Sequence, residues 1–215
     1  MSDHGDYPDG PNLHRMVFFS DAVFAIILTL LALELRAPLD VPSGGLFEAL
    51  GRMAPHFIAF AMSFAIVSIF WIAHLSTLRR MVHFDWLVAV LNLVLLFTIA
   101  LIPFACALLG EYRQAGQAWQ FYCVLMMAAS AAQTVLLSAI ARDKGRLIGG
   151  VTAADFQLRL MRALSPGVIF AIGLALSLTG HDWLSAYCWV LFPAAMILAR
   201  LIFNWRTRKP SLAKA

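Results

Sequence analysis

Asp21 is a carboxylate inside the first long apolar run of the chain, His14 to Arg36 (HRMVFFSDAVFAIILTLLALELR). Charged groups at membrane depth are costly, so they face protein or water and mark positions with a task. Arg15 lies one and a half helical turns before Asp21, and Ser20 stands beside it, so polarity is confined to the N-terminal third of the run. Arg15 can snorkel to headgroups, and Ser20 and Asp21 can cap a helix start. The depth of Asp21 argues instead for a partner on another helix. Beyond it the polarity stops. Ile26, Leu30 and Leu33 recur at i, i+4 and i+7 and share one face, beside which Thr29 offers the only hydroxyl. Taken alone, such a stripe is helix packing or lipid contact.

Other chemistry is hard to build from these residues. There is no G-x-S-x-G, no H-E-x-x-H and no P-loop, and the six histidines show no metal-ligand spacing. Ser63, Ser68 and Ser130 are hydroxyls at membrane depth, where they commonly pack helices together. Cys106, Cys123 and Cys188 lie in apolar runs without C-x-x-C spacing and read as buried small hydrophobes. Asp85 and Asp182, each followed by Trp, sit where a carboxylate faces a helix N-terminus. Neither an enzyme nor a metal or other cofactor is expected.

The elements that must position these residues follow from hydropathy. Of 215 residues, 61% are hydrophobic and 13% charged, and mean hydropathy is +0.80, which places the chain among polytopic membrane proteins. Six spans are expected: His14–Arg36, Pro55–Thr77, Phe84–Leu109, Gln117–Ile140, Leu160–Leu178 and Trp183–Asn204. Each has about the 20 residues needed to cross a hydrocarbon core of ~30 Å. Residues 1–12 (MSDHGDYPDGPN) read as a disordered terminus without the basic start of a signal peptide, 13–205 as the membrane domain and 206–215 as a basic tail. With six spans both termini share one side, and that side collects 13 of the 16 Lys and Arg residues. The positive-inside rule makes it cytoplasmic, and it explains a pI near 9.3 without nucleic acid. Trp86, Trp119, Trp183 and Trp205 near span ends suit interfacial anchoring.

Arg15-Met16-Val17-Phe18-Phe19-Ser20-Asp21 fits R-x-x-x-F-S-D, the opening of the first helix in the transmembrane protein 175 family of potassium channels, which this chain resembles. The span count, and Trp71 and His74 late in the second span, extend the resemblance over most of the chain. It is similar to the prokaryotic type with a single six-helix repeat. The fold implied is an all-α bundle of six transmembrane helices whose first helix lines a pore, the bundle assembling as a homotetramer in the cell membrane. Ser20 and Asp21 would be joined by hydrogen bonds to the Trp and His of neighbouring helices, so that Arg15, Phe19, Ser20, Asp21, Trp71 and His74 form a helix-positioning network. Within it, Asp21 is expected to pair with His74.

The resemblance also assigns the stripe. Ile26, five residues beyond the motif aspartate, matches the family's principal constriction, with Leu30 and Leu33 continuing the face over roughly 10 Å. Thr29 matches a threonine associated with preference for potassium over sodium. An aliphatic ring can gate by dewetting, and with no T-V-G-Y-G segment selectivity must arise differently from carbonyl-filter channels. Glu34 at the outer mouth either attracts cations or is a solvated helix end. The function implied is passive conduction of potassium ions across the lipid bilayer. Two rivals stay open. A secondary transporter or proton-coupled carrier could use Pro103, Pro166 and Pro193 as helix breaks but lacks acidic residues at midplane, and a scaffold has no positive sign.

Overall fold

A computed structural model describes residues 10–39, 41–112, 115–142, 153–185 and 187–188. These residues fold into helices and turns, and no β-strand occurs among them. The helices are α1 (Gly10–Leu33), α2 (Leu46–Arg52), α3 (Ala54–Leu78), α4 (Trp86–Ala100), α5 (Ile102–Glu111), α6 (Gly116–Ile140) and α7 (Ala153–Leu178), followed by a single helical turn at Asp182–Ser185. Among the described residues, five stretches are long and apolar enough to cross a membrane: α1, α3, α4 with α5, α6, and Phe156–Leu178 of α7. The expected sixth span and the basic tail lie outside the described residues beyond Cys188.

Local chemistry explains the boundaries. Helix α1 begins at Gly10, taking in three residues that the sequence reading assigns to the terminal segment. A proline opens the first turn of α3, where its missing N–H costs nothing. Asp85 caps α4, its Oδ1 accepting from Val88 N at 3.0 Å. The third span is interrupted at Leu101, because the ring of Pro103 cannot share space with the carbonyl four residues back. Helix α2 was not anticipated. It is a short surface helix, carrying an exposed Arg52–Glu48 pair at 2.8 Å.

Pro166 sits inside α7 without ending it. Ser130 of α6 bridges the gap, donating to Ala163 O at 2.6 Å while accepting from Gly167 N at 3.0 Å. Its hydroxyl is thus inserted into one i→i−4 bond of α7, and Ser165 Oγ donates to the freed Arg162 carbonyl at 3.1 Å. Gly167 is required for that approach, since a Cβ there would lie 2.7 Å from Ser130 Oγ. Helix α6 is the most enclosed of the described spans and packs against α4, α5 and α7, while α1 packs against α3, α4 and α5. Trp119 belongs to this interior rather than to an interfacial belt: it is buried, stacks on Tyr122 and hydrogen-bonds Ser185 Oγ. Trp86 is exposed.

Candidate functional site on the first helix

Helix α1 is divided lengthwise. Met16, Ser20, Phe24, Ile27 and Leu31 recur at spacings of four, four, three and four and are buried. The opposite side holds Phe18, Phe19, Ile26, Thr29, Leu30 and Leu33, all exposed in the single chain. Hydropathy alone does not make this division, because both faces are apolar. The interhelical polar bonds of Ser20 and Asp21 do.

Two bonds tie that inner face to its neighbours. Trp71 Nε1 of α3 donates to Asp21 Oδ1 at 2.9 Å, both residues being half-buried. Ser20 is fully buried and accepts from Asn92 Nδ2 of α4 at 2.9 Å, while its own hydroxyl donates to Met16 O at 2.8 Å. With its amide nitrogen so engaged, Asn92 turns Oδ1 toward His74 Nε2 at 2.7 Å, which makes that imidazole nitrogen the donor. The result is a directional relay, His74 to Asn92 to Ser20 to the α1 backbone, that joins three spans. The ring of Phe24 covers it, 5.4 Å from the His74 ring centroid.

The expected Asp21–His74 bond is therefore corrected. Asp21 pairs with Trp71, and His74 reaches α1 through Asn92. Sequence reasoning missed Asn92, although an amide in the middle of WLVAVLNLVLLFTIA was a signal available to it. Arg15 and Phe19 do not join the cluster, since both side chains point outward. On the outer face Thr29 Oγ1 donates to Ile26 O at 2.7 Å, which satisfies its proton within the helix and leaves the oxygen lone pairs outward. Leu30 is 41% exposed, Ile26 57% and Leu33 71%, against 2% for Ile27. No group of three or more potential metal ligands occurs among the described residues.

Comparison with known proteins supplies the family. A family model described as the endosomal/lysosomal potassium channel TMEM175 matches residues 15–103. A potassium channel of Streptomyces collinus is 33% identical over 184 residues, covering 80% of this chain and 89% of that protein. The chain belongs to the TMEM175 family. A homologue, from Chamaesiphon minutus, of the lysosomal potassium-selective channel TMEM175 superposes with a TM-score of 0.73 at 27% identity, over 92% of this chain and 99% of that one. Family membership together with several apolar helices makes the chain a multi-pass membrane protein. The mouse protein named an endosomal/lysosomal proton channel is 27% identical over 125 residues, but this chain spans only 25% of its length.

Proposed function

We propose that the chain is a potassium-permeable cation channel of the TMEM175 type, conducting passively through a pore lined by α1. Four copies surround the axis, each contributing one six-span domain over residues 13–205, with both termini and the 206–215 tail on the cytoplasmic side of the cell membrane. Ile26, Leu30 and Leu33 form successive aliphatic layers over roughly 10 Å, and Thr29 biases the pathway toward potassium. The observation that carries this reading is the lengthwise division of α1. Its inner face is bonded by Asp21 and Ser20 to α3 and α4, so the Ile26 face is held outward, open to identical neighbours. Closed cyclic symmetry is the usual way for identical chains to enclose an axis. The relatives named as potassium channels support the same assignment. Ser20, Asp21, Trp71, His74 and Asn92 act as architecture that sets the rotation of α1, not as ion ligands.

Purified protein in potassium-loaded liposomes tests it. A channel gives potassium efflux that follows the imposed membrane potential and needs no counter-gradient. Flux that appears only with a coupled proton or sodium gradient would replace this reading with a carrier, and no flux at all would refute transport.

A further inference from the structure

Away from the Ile26 face, α3, α6 and α7 enclose a cavity of about 80 Å³ near the ends of the spans that carry the Lys and Arg excess. Its walls include Ile72, Ser76, Gln133, Leu137, Arg159 and Arg162, and no Asp or Glu lines it among the described residues. Two observations are independent of each other. Gln133 is only 1% exposed, yet its Oε1 has no hydrogen-bond partner among the described residues. Arg162 Nε, from the facing helix, is likewise buried and without a partner among them. Arg159 Nη1 donates to Ser76 O and Oγ, which holds a second guanidinium at the rim.

Buried polar atoms are nearly always bonded, so each exception implies something that fills the space. Here the orphan on one wall is an acceptor and the orphan on the other is a cationic donor. The complementary ligand is an anion that also carries a hydroxyl. At the ~30 Å³ that a water takes in the liquid, the cavity has room for about three waters, which a headgroup entering from the surface would displace. Ile72, at 56% exposure, puts the opening on the outer surface of the bundle, where basic pockets between spans take acidic headgroups.

We propose that this cavity binds the headgroup of an anionic phospholipid bearing a free hydroxyl. The phosphate diester lies against Arg162 and Arg159, and the headgroup hydroxyl donates to Gln133 Oε1. Trp71 and His74 stand on the same stretch of α3 as Ile72, Ala73 and Ser76, so a bound lipid braces the helix to which α1 is tied.

The full chain, purified in neutral detergent, is titrated with phosphatidylglycerol, phosphatidylethanol and phosphatidylcholine while retained lipid is counted by native mass spectrometry. Phosphatidylethanol has the same charge as phosphatidylglycerol but no hydroxyl. Phosphatidylglycerol is expected to bind about tenfold or more tightly than phosphatidylcholine, because choline brings a cation to a site that holds two guanidiniums and offers no hydroxyl to Gln133. Arg162→Gln should erase that margin. Gln133→Leu should keep the preference for anionic lipid and remove the preference of phosphatidylglycerol over phosphatidylethanol. Should Arg162→Gln fail to fold, the wild-type lipid series and Gln133→Leu decide alone. Equal binding of phosphatidylglycerol and phosphatidylcholine means that only water fills the cavity and overturns the proposal. Displacement of the lipid by glycerol phosphate or inorganic phosphate at matching concentration overturns the lipid source.

Discussion

Asn92→Ala should weaken the fold more than Asp21→Ala, although Asp21 is the charged residue. Asn92 is 1% exposed and serves two partners, accepting from His74 Nε2 at 2.7 Å and donating to Ser20 Oγ at 2.9 Å. Truncation strands a donor on His74, itself 1% exposed, where neither water nor a headgroup can replace the amide. A buried donor left unsatisfied costs about 1–3 kcal/mol, and the lost bond to Ser20 adds about 0.6 kcal/mol, the membrane-protein average. Asn92→Ala should therefore cost about 1.6–3.6 kcal/mol. Asp21→Ala frees only the half-buried Trp71 indole, for about 0.6–1 kcal/mol. Unfolding in mixed detergent–SDS micelles, monitored by tryptophan fluorescence, reads both. A double-mutant cycle with His74→Ala should show Asn92 coupled to His74 and Asp21 uncoupled from it. If Asp21→Ala proves the more damaging change, or if Asn92→Ala and His74→Ala are additive, the relay does not anchor α1 as described.

Ile26→Ala should raise potassium flux and weaken discrimination against sodium at little cost in stability, whereas Ile27→Ala, 2% exposed, should cost about 2–4 kcal/mol and leave conductance per folded channel near wild type. Liposome flux normalised to folded protein separates them, and equal flux changes at the two positions would mean that this face is not the pore. Ser130→Ala should destabilise by about 1–3 kcal/mol by removing the bridge between Gly167 N and Ala163 O. Gly167→Ala should destabilise as well, and the double variant, relieved of the 2.7 Å clash with Ser130 Oγ, should lose less than the sum of the two in the same unfolding assay. Asp85→Ala should cost ~1 kcal/mol through loss of the cap on Val88 N, while Asp85→Asn should keep most of it.

The spans themselves were legible in the sequence because a bilayer imposes a length on apolar runs. The ranges Pro55–Thr77 and Gln117–Ile140 differ from α3 and α6 by no more than one residue at either end. The motif R-x-x-x-F-S-D located the polar end of α1, and the spacing of Ile26, Leu30 and Leu33 placed them together on one face. What the sequence could not supply was which polar group meets which. In a span surrounded by lipid, both the packed and the outward faces are apolar, so periodicity carries little rotational information. A rotation or shift of one helix by a single residue exchanges one hydrogen-bond partner for another. Only the tertiary arrangement could give His74 to Asn92 and Asp21 to Trp71, carry Trp119 inward to Ser185, and bring the Ser130 hydroxyl into the backbone of α7. Those pairings join residues 18 to 66 positions apart, and they are decided by how helices pack side by side, which no single helix encodes.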